Sequence, residues 1–338
     1  MGKNQGLERR ERAKCRSLYE PPDRVEAARA ALNARPPPLH SSAAAMTKSA
    51  AYAVKADLGI AAPALFVVLW SSAFVTAKLA VIDAEPLTFL GVRFVLAAAL
   101  MALLAAAVSA SWPTTARAIG HAAVVGLLIH ATYLGGVFVA IRHGLPSGMA
   151  ALIVSLQPLL TGALSGLLLD EAVTPRQWLG LGLGIVGTGL VLEQNLGVGG
   201  DAWSVASAFL ALIAITLGTI YQKRFGGGMD LRTGTAVQYV ASAVVLLALA
   251  AGTETMRVDW TPMLILVMAW MTLAISLGAI TLYFVLIRRG AAARVASLMY
   301  LVPPLTALIA WPLFGETLGP LALVGMALAA VGVALANR

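Results

Sequence analysis

QPLLTGALSGLLLDEAVTP, residues 157–175, is an apolar run that ends abruptly on two carboxylates. The chain repeats the theme in VPPLTALIAWPLFGETLGP, residues 302–320. Moving residues 158–190 forward by 145 lays Pro158 on Pro303, Thr161 on Thr306, Glu171 on Glu316 and Pro175 on Pro320. It also lays Gly180 on Gly325 and Gly187 on Gly332, with eleven identities over 33 positions. Leu and Ala coincide cheaply in such a composition, but Pro, Glu and Gly in one register do not. The same shift brings Lys78 onto Lys223, and one residue of slip aligns IRHG (141–144) with IRRG (287–290). The sequence is built from two copies of one unit.

What surrounds the repeat fixes its medium. Of 338 residues, 59% are hydrophobic and 12% charged, with a mean hydropathy of +0.83. Soluble domains carry roughly 25% charged residues, so the lipid bilayer is the expected surroundings. The net charge of +8 is concentrated in residues 1–57, which hold 11 of the 24 Lys and Arg. With no basic helix or aromatic-basic platform, a nucleic-acid partner is not expected. Cys15 is the single cysteine, so neither a disulfide nor a cysteine metal site forms within one chain.

Residues 1–57 are rich in Arg, Glu and Pro, include RPPPLH at 35–40, and lack the apolar core of a signal peptide. They read as a disordered, basic, cytoplasmic extension. Met46 precedes a more ordinary opening, MTKSAAYAVKADLG, so residues 1–45 read as a dispensable tail or an upstream misassigned start.

A helix needs about 20 apolar residues to cross the hydrocarbon core. Punctuation by charge, Pro and Gly gives ten candidates: 58–81, 87–109, 118–141, 147–169, 176–194, 202–223, 233–252, 262–287, 291–314 and 319–336. Backbone groups in lipid must be paired within the segment, so these are expected to be transmembrane helices. The Lys and Arg of the connecting loops favour both termini inside. The first unit spans 58–194 and the second 202–336. Five helices per unit is an odd number, so the second unit enters the membrane inverted. Such inverted repeats place a binding region near the midplane and allow alternating access.

The stretches LWSSAFVTAKLA (69–80) and EPLTFLGVRFVLAA (85–98), with the two proline–glutamate segments and their trailing glycines, resemble the drug/metabolite transporter superfamily and its EamA-type ten-helix transporters. The resemblance covers roughly residues 60–336. It departs in the long N-terminal extension and in Ser71-Ser72, where a glycine is common after the tryptophan. It implies secondary transport of small metabolites, often export of amino acids or related compounds, in a bacterial-type inner membrane. The alternative is a non-transporting receptor or assembly subunit.

Depth sorts the polar residues. Trp70, His130, Gln157, Ser276 and Tyr300 fall near the middles of their spans, where polar groups need partners or a pathway. Tyr133 follows His130 at i+3 and on an α-helix shares its face, so the pair is expected to present an imidazole and a hydroxyl to a cavity. Pro158 and Pro303 each remove a backbone donor and mark paired hinges. Lys78, Arg93, Glu171 and Glu316 read as boundary residues. Lys78 snorkels outward, Arg93 pairs with Asp83 or Glu85, and each glutamate prepares the helix that follows it. Gly180, Gly187, Gly325 and Gly332 permit close helix packing within the chain or in a homodimer. GLGLGIVG (180–187) lies inside a span with no strand before it, so it is not a nucleotide loop. His40, His121, His130 and His143 have no paired metal spacing, and no Walker loop or nucleophile elbow is present. Neither catalysis nor a metal or cofactor is expected.

Overall fold

The computed structural model describes residues 62, 64–168, 174–195, 201–226, 228–283, 301–316 and 319–336. Residues 1–57, with the expected basic extension, lie outside the described residues, as do Glu171 and Tyr300. The chain divides into the units Met1–Gly59 and Ile60–Arg338. The elements of the second unit are helices, joined at one point by an isolated antiparallel bridge between Ala84 and Val258.

The helices are α1 (Ala64–Asp83), α2 (Pro86–Ala107), α3 (Ala116–Arg142), α4 (Ser147–Val154), α5 (Gln157–Leu168), α6 (Pro175–Asn195), α7 (Ala202–Phe225), α8 (Leu231–Thr253), α9 (Pro262–Tyr283), α10 (Val302–Phe314) and α11 (Pro320–Ala336). Six of them, α1, α2, α3, α7, α8 and α9, are long and apolar enough to cross a membrane, and shorter apolar helices accompany them. Proline opens α2, α6, α9 and α11, where a missing N–H costs nothing and the fixed φ suits a first turn. The run expected to be one helix over 147–169 is two. It breaks at Ser155–Leu156, just ahead of Pro158, whose ring and missing donor disfavour a continuous helix there.

The bundle's surface, rather than its apolar core, departs from that of a soluble protein. Leu103, Leu266 and Leu308 are more than 60% exposed, whereas Arg93, His130, Gln238 and Ser276 are at most 2% exposed. Apolar side chains facing outward and polar groups held between helices suit a lipid surround, so this is an integral membrane protein.

Corresponding helices of the two copies pack antiparallel. On α6 and α11, a Cβ at Gly187 would strike the Gly325 carbonyl and one at Gly332 the Gly180 carbonyl. These are the same pair of positions in exchanged roles. Helices α2 and α8 pair likewise, with the Thr88 end of α2 at Glu254 and the Thr233 end of α8 at Ser111. Capping is duplicated too: Thr115 accepts from the Ala118 N–H at the start of α3, and Thr261 from the Leu264 N–H at the start of α9.

Candidate functional site

Two helices at matching places in the copies widen locally into π geometry: α3 over Leu127–Thr132 and α9 over Met271–Ala279. Such i→i+5 segments displace side chains from their α-helical faces and recur at functional sites. His130 lies in the first and Ser276 in the second. Each meets a side chain from the other copy. Arg93 on α2 donates from Nε and Nη2 to Ser276 Oγ at 3.2 and 3.0 Å. His130 Nε2 lies 3.2 Å from Gln238 Oε1 on α8. Gln238 donates its amide nitrogen to Gln222 Oε1 at 3.3 Å, which leaves its oxygen facing the imidazole.

A shift of 145 lays Gln238 on Arg93 and Tyr239 on Phe94, and 146, the slipped register, lays Ser276 on His130. The two cross-links are therefore one contact made twice. Between them Phe94 stacks on Tyr239 at 5.2 Å, and His130 leans on both rings. Tyr239 donates its hydroxyl to the Ser276 carbonyl at 2.6 Å.

A second polar-aromatic group adjoins the break between α4 and α5. Gln157 donates to Thr161 Oγ1 and to Thr219 Oγ1 on α7, both at 3.3 Å. Thr219 also hydrogen-bonds Tyr283 on α9. Tyr283 in turn packs at 5.4 Å against Trp70 and stacks at 6.0 Å on Phe66. Gln157 and Trp70 thus meet through Thr219 and Tyr283. Tyr133, just past the first π segment, is buried within electrostatic reach of Arg93 and Tyr283, while His130 turns to Gln238. His130 and Tyr133, expected to share a face, both lie within electrostatic reach of Arg93. His130 is 1% exposed and enclosed between helices rather than lining an open cavity. Pro303 enters the first turn of α10 and lines an apolar cavity of about 260 Å³ with Leu152, Ser155 and Met326.

The boundary residues divide. Arg93 is 1% exposed and bonds Ser276, not Asp83 or Glu85 as expected. Those carboxylates are engaged elsewhere: Asp83 accepts from Thr261 Oγ1, and Glu85 from Thr255 and the Arg257 N–H. The Arg257 N–H holds the Glu85 carboxyl below the ordinary carboxylate range, with the Thr255 donors adding to it. Lys78 does not run free to an interface. Its ammonium donates to Glu316 at 2.5 Å, above the Phe314 ring. Glu316 also accepts from the Ser147 N–H and hydroxyl at 3.3 and 3.0 Å. Among the described residues it therefore serves the N-terminus of α4.

Gln238, Gln222, Tyr239, Thr219 and Tyr283 are site residues that the sequence reading passed over. For Gln238 and Tyr239 the signal was the repeat itself, extended from Arg93-Phe94.

Residues 57–193 and 202–338 each match the model of the EamA-like transporter family. The chain is 29% identical over 253 residues to "Uncharacterized inner membrane transporter YedA" of Escherichia coli strain K12, covering 74% of this chain and 81% of that protein. It is 28% identical over 286 residues to "Probable amino-acid metabolite efflux pump" of Salmonella typhimurium, covering 80% and 91%. A solved crystal structure superposes with a TM-score of 0.61 at 19% identity, covering 81% of this chain and 94% of that one.

Proposed function

Because the chain belongs to the EamA-like transporter family, we propose that it is a secondary transporter of the inner membrane that exports small metabolites of the amino-acid class. The observation that carries this reading is the buried seam joining the two copies. Arg93–Ser276 and Gln238–His130 cross it as a matched pair, beside the Gln157–Thr219–Tyr283–Trp70 group. Polar groups are costly at such depth and mark pathways. The names of the relatives support the membrane and the cargo class.

In this reading ten helices cross the bilayer as two inverted five-helix units, with both termini inside. The break between α4 and α5 makes a fourth crossing from two half-helices, and α10 belongs to a ninth. A seam built twice from equivalent residues has two near-equivalent ways to open, one toward each face. Cargo bound about equally in both states then follows its own gradient. The Lys78–Glu316–Ser147 cluster ties α1 and α4 to the end of α10 and so closes one of the two faces.

The test is counterflow in proteoliposomes across an amino-acid and amphipathic-drug panel. Accelerated exchange of at least one amino acid or derivative is expected. Well-folded protein that accelerates none of them overturns the proposal.

A further inference from the structure

The seam's two cross-links are alike in position but not in charge. The Gln238–His130 link is neutral: the amide nitrogen donates to Gln222, its oxygen faces the imidazole, and His130 Nδ1 has no partner among the described residues. The Arg93–Ser276 link carries a charge. Two guanidinium nitrogens share one neutral hydroxyl, and among the described residues Nη1 has no partner. No ion pair of Arg93 occurs among the described residues. On the same π segment as Ser276, Thr272 Oγ1 is also buried without a partner. Because Gln238 holds the equivalent helices together with a neutral group, packing alone does not require a cation at Arg93. A buried charge without a counter-ion is costly, and the protein holds this one inside a membrane bundle.

The guanidinium has two usable edges. Nε and Nη2 are turned to Ser276, and Nη1 leaves the other edge half free. A planar acceptor with two oxygens fits such an edge better than a spherical ion does. Ser276 Oγ donates its proton to the Met271 carbonyl at 3.1 Å within the π segment, so toward Arg93 it offers only a neutral lone pair.

We propose that Arg93 is the receptor for a carboxylate carried by the transported metabolite. This rests on the transporter reading above and narrows its cargo to carboxylates. The acid supplies the missing negative charge, and its arrival separates Arg93 from Ser276, loosening one of the two links between the copies.

The test uses matched probes that differ in the acid group: L-leucine, L-leucinamide and isopentylamine, and the corresponding phenylalanine set. Thermal unfolding of purified full-length protein is measured with each, and each competes in proteoliposome counterflow. The acids should stabilise the protein and compete at least tenfold better than their amides and amines. Arg93→Gln, which installs the second copy's residue, should erase that preference, and Arg93→Lys should keep part of it. Acids and amides acting equally on the wild-type protein overturn the assignment, whether or not the variants fold. So does equal stabilisation by sodium chloride, which would identify an inorganic anion. Acid-specific stabilisation without any flux would instead retain Arg93 as a receptor and sink the transporter reading, so the two failures are distinguishable.

Discussion

Glu316 shows how much one carboxylate can organise. It is 12% exposed at the side chain and takes the Lys78 ammonium, the Ser147 N–H and the Ser147 hydroxyl. The helix N-terminus adds its own positive end to the site. Removing the charge with Glu316→Gln should lower stability by about 1.5–3 kcal/mol, a typical value for hydrogen bonds to a charged group. In a double-mutant cycle of thermal unfolding, Lys78→Met should cost much less in the Glu316→Gln background than in the wild type. Additive costs would show that the pair is not coupled. The distribution of Lys and Arg in the sequence assigns both residues to one membrane face. Their pairing was not legible, because it depends on how α1 and α10 pack. Arg93 escaped for a related reason: nearness in sequence to Asp83 and Glu85 suggests a partner, yet both carboxylates serve the α8–α9 connection.

At the scale of elements, glycines on one helix divide by what they face. A Cβ on Gly187 or Gly332 would meet opposing backbone closer than 3.0 Å, whereas one on Gly182 meets nothing within 4 Å. Gly187→Ala and Gly332→Ala should each destabilise by about 1–3 kcal/mol. Gly182→Ala should stabilise by about 0.5–1 kcal/mol through reduced chain entropy. The same sign at all three positions would contradict the α6–α11 packing. The Glu85 clasp makes a pH prediction. Its carboxyl lies below the ordinary range in the folded chain, so its contribution is present above the unfolded pKa and disappears as pH falls through the folded value. Glu85→Gln should therefore flatten the acid limb of the unfolding-temperature profile. An unchanged acid limb would remove the clasp from the account. Helix starts at Pro86, Pro262 and Pro320 were legible because proline both permits and marks a first turn. The π segments were not, since nothing in LLIHAT or MTLAISLGA distinguishes them by composition from α-helix.

The whole molecule repeats this logic. The duplication was visible in Pro, Glu and Gly, and the reciprocal Gly187–Gly325 and Gly332–Gly180 approaches are its three-dimensional form. What the alignment of 158–190 did not reach was the seam, because its partners are unlike: arginine faces serine where glutamine faces histidine. In the proposed exchange between two openings, such a seam would hold the copies together without welding them. The most direct test holds one end shut. Cys15 is the only native cysteine, so a Cys15→Ser background carrying Lys78→Cys and Glu316→Cys places a single reactive pair across the α1–α10 contact. Joining the pair with a short cleavable bismaleimide in proteoliposomes should abolish counterflow, and reductive cleavage should restore it. Counterflow at the unlinked rate with the pair fully joined would contradict transport by movement of one copy against the other.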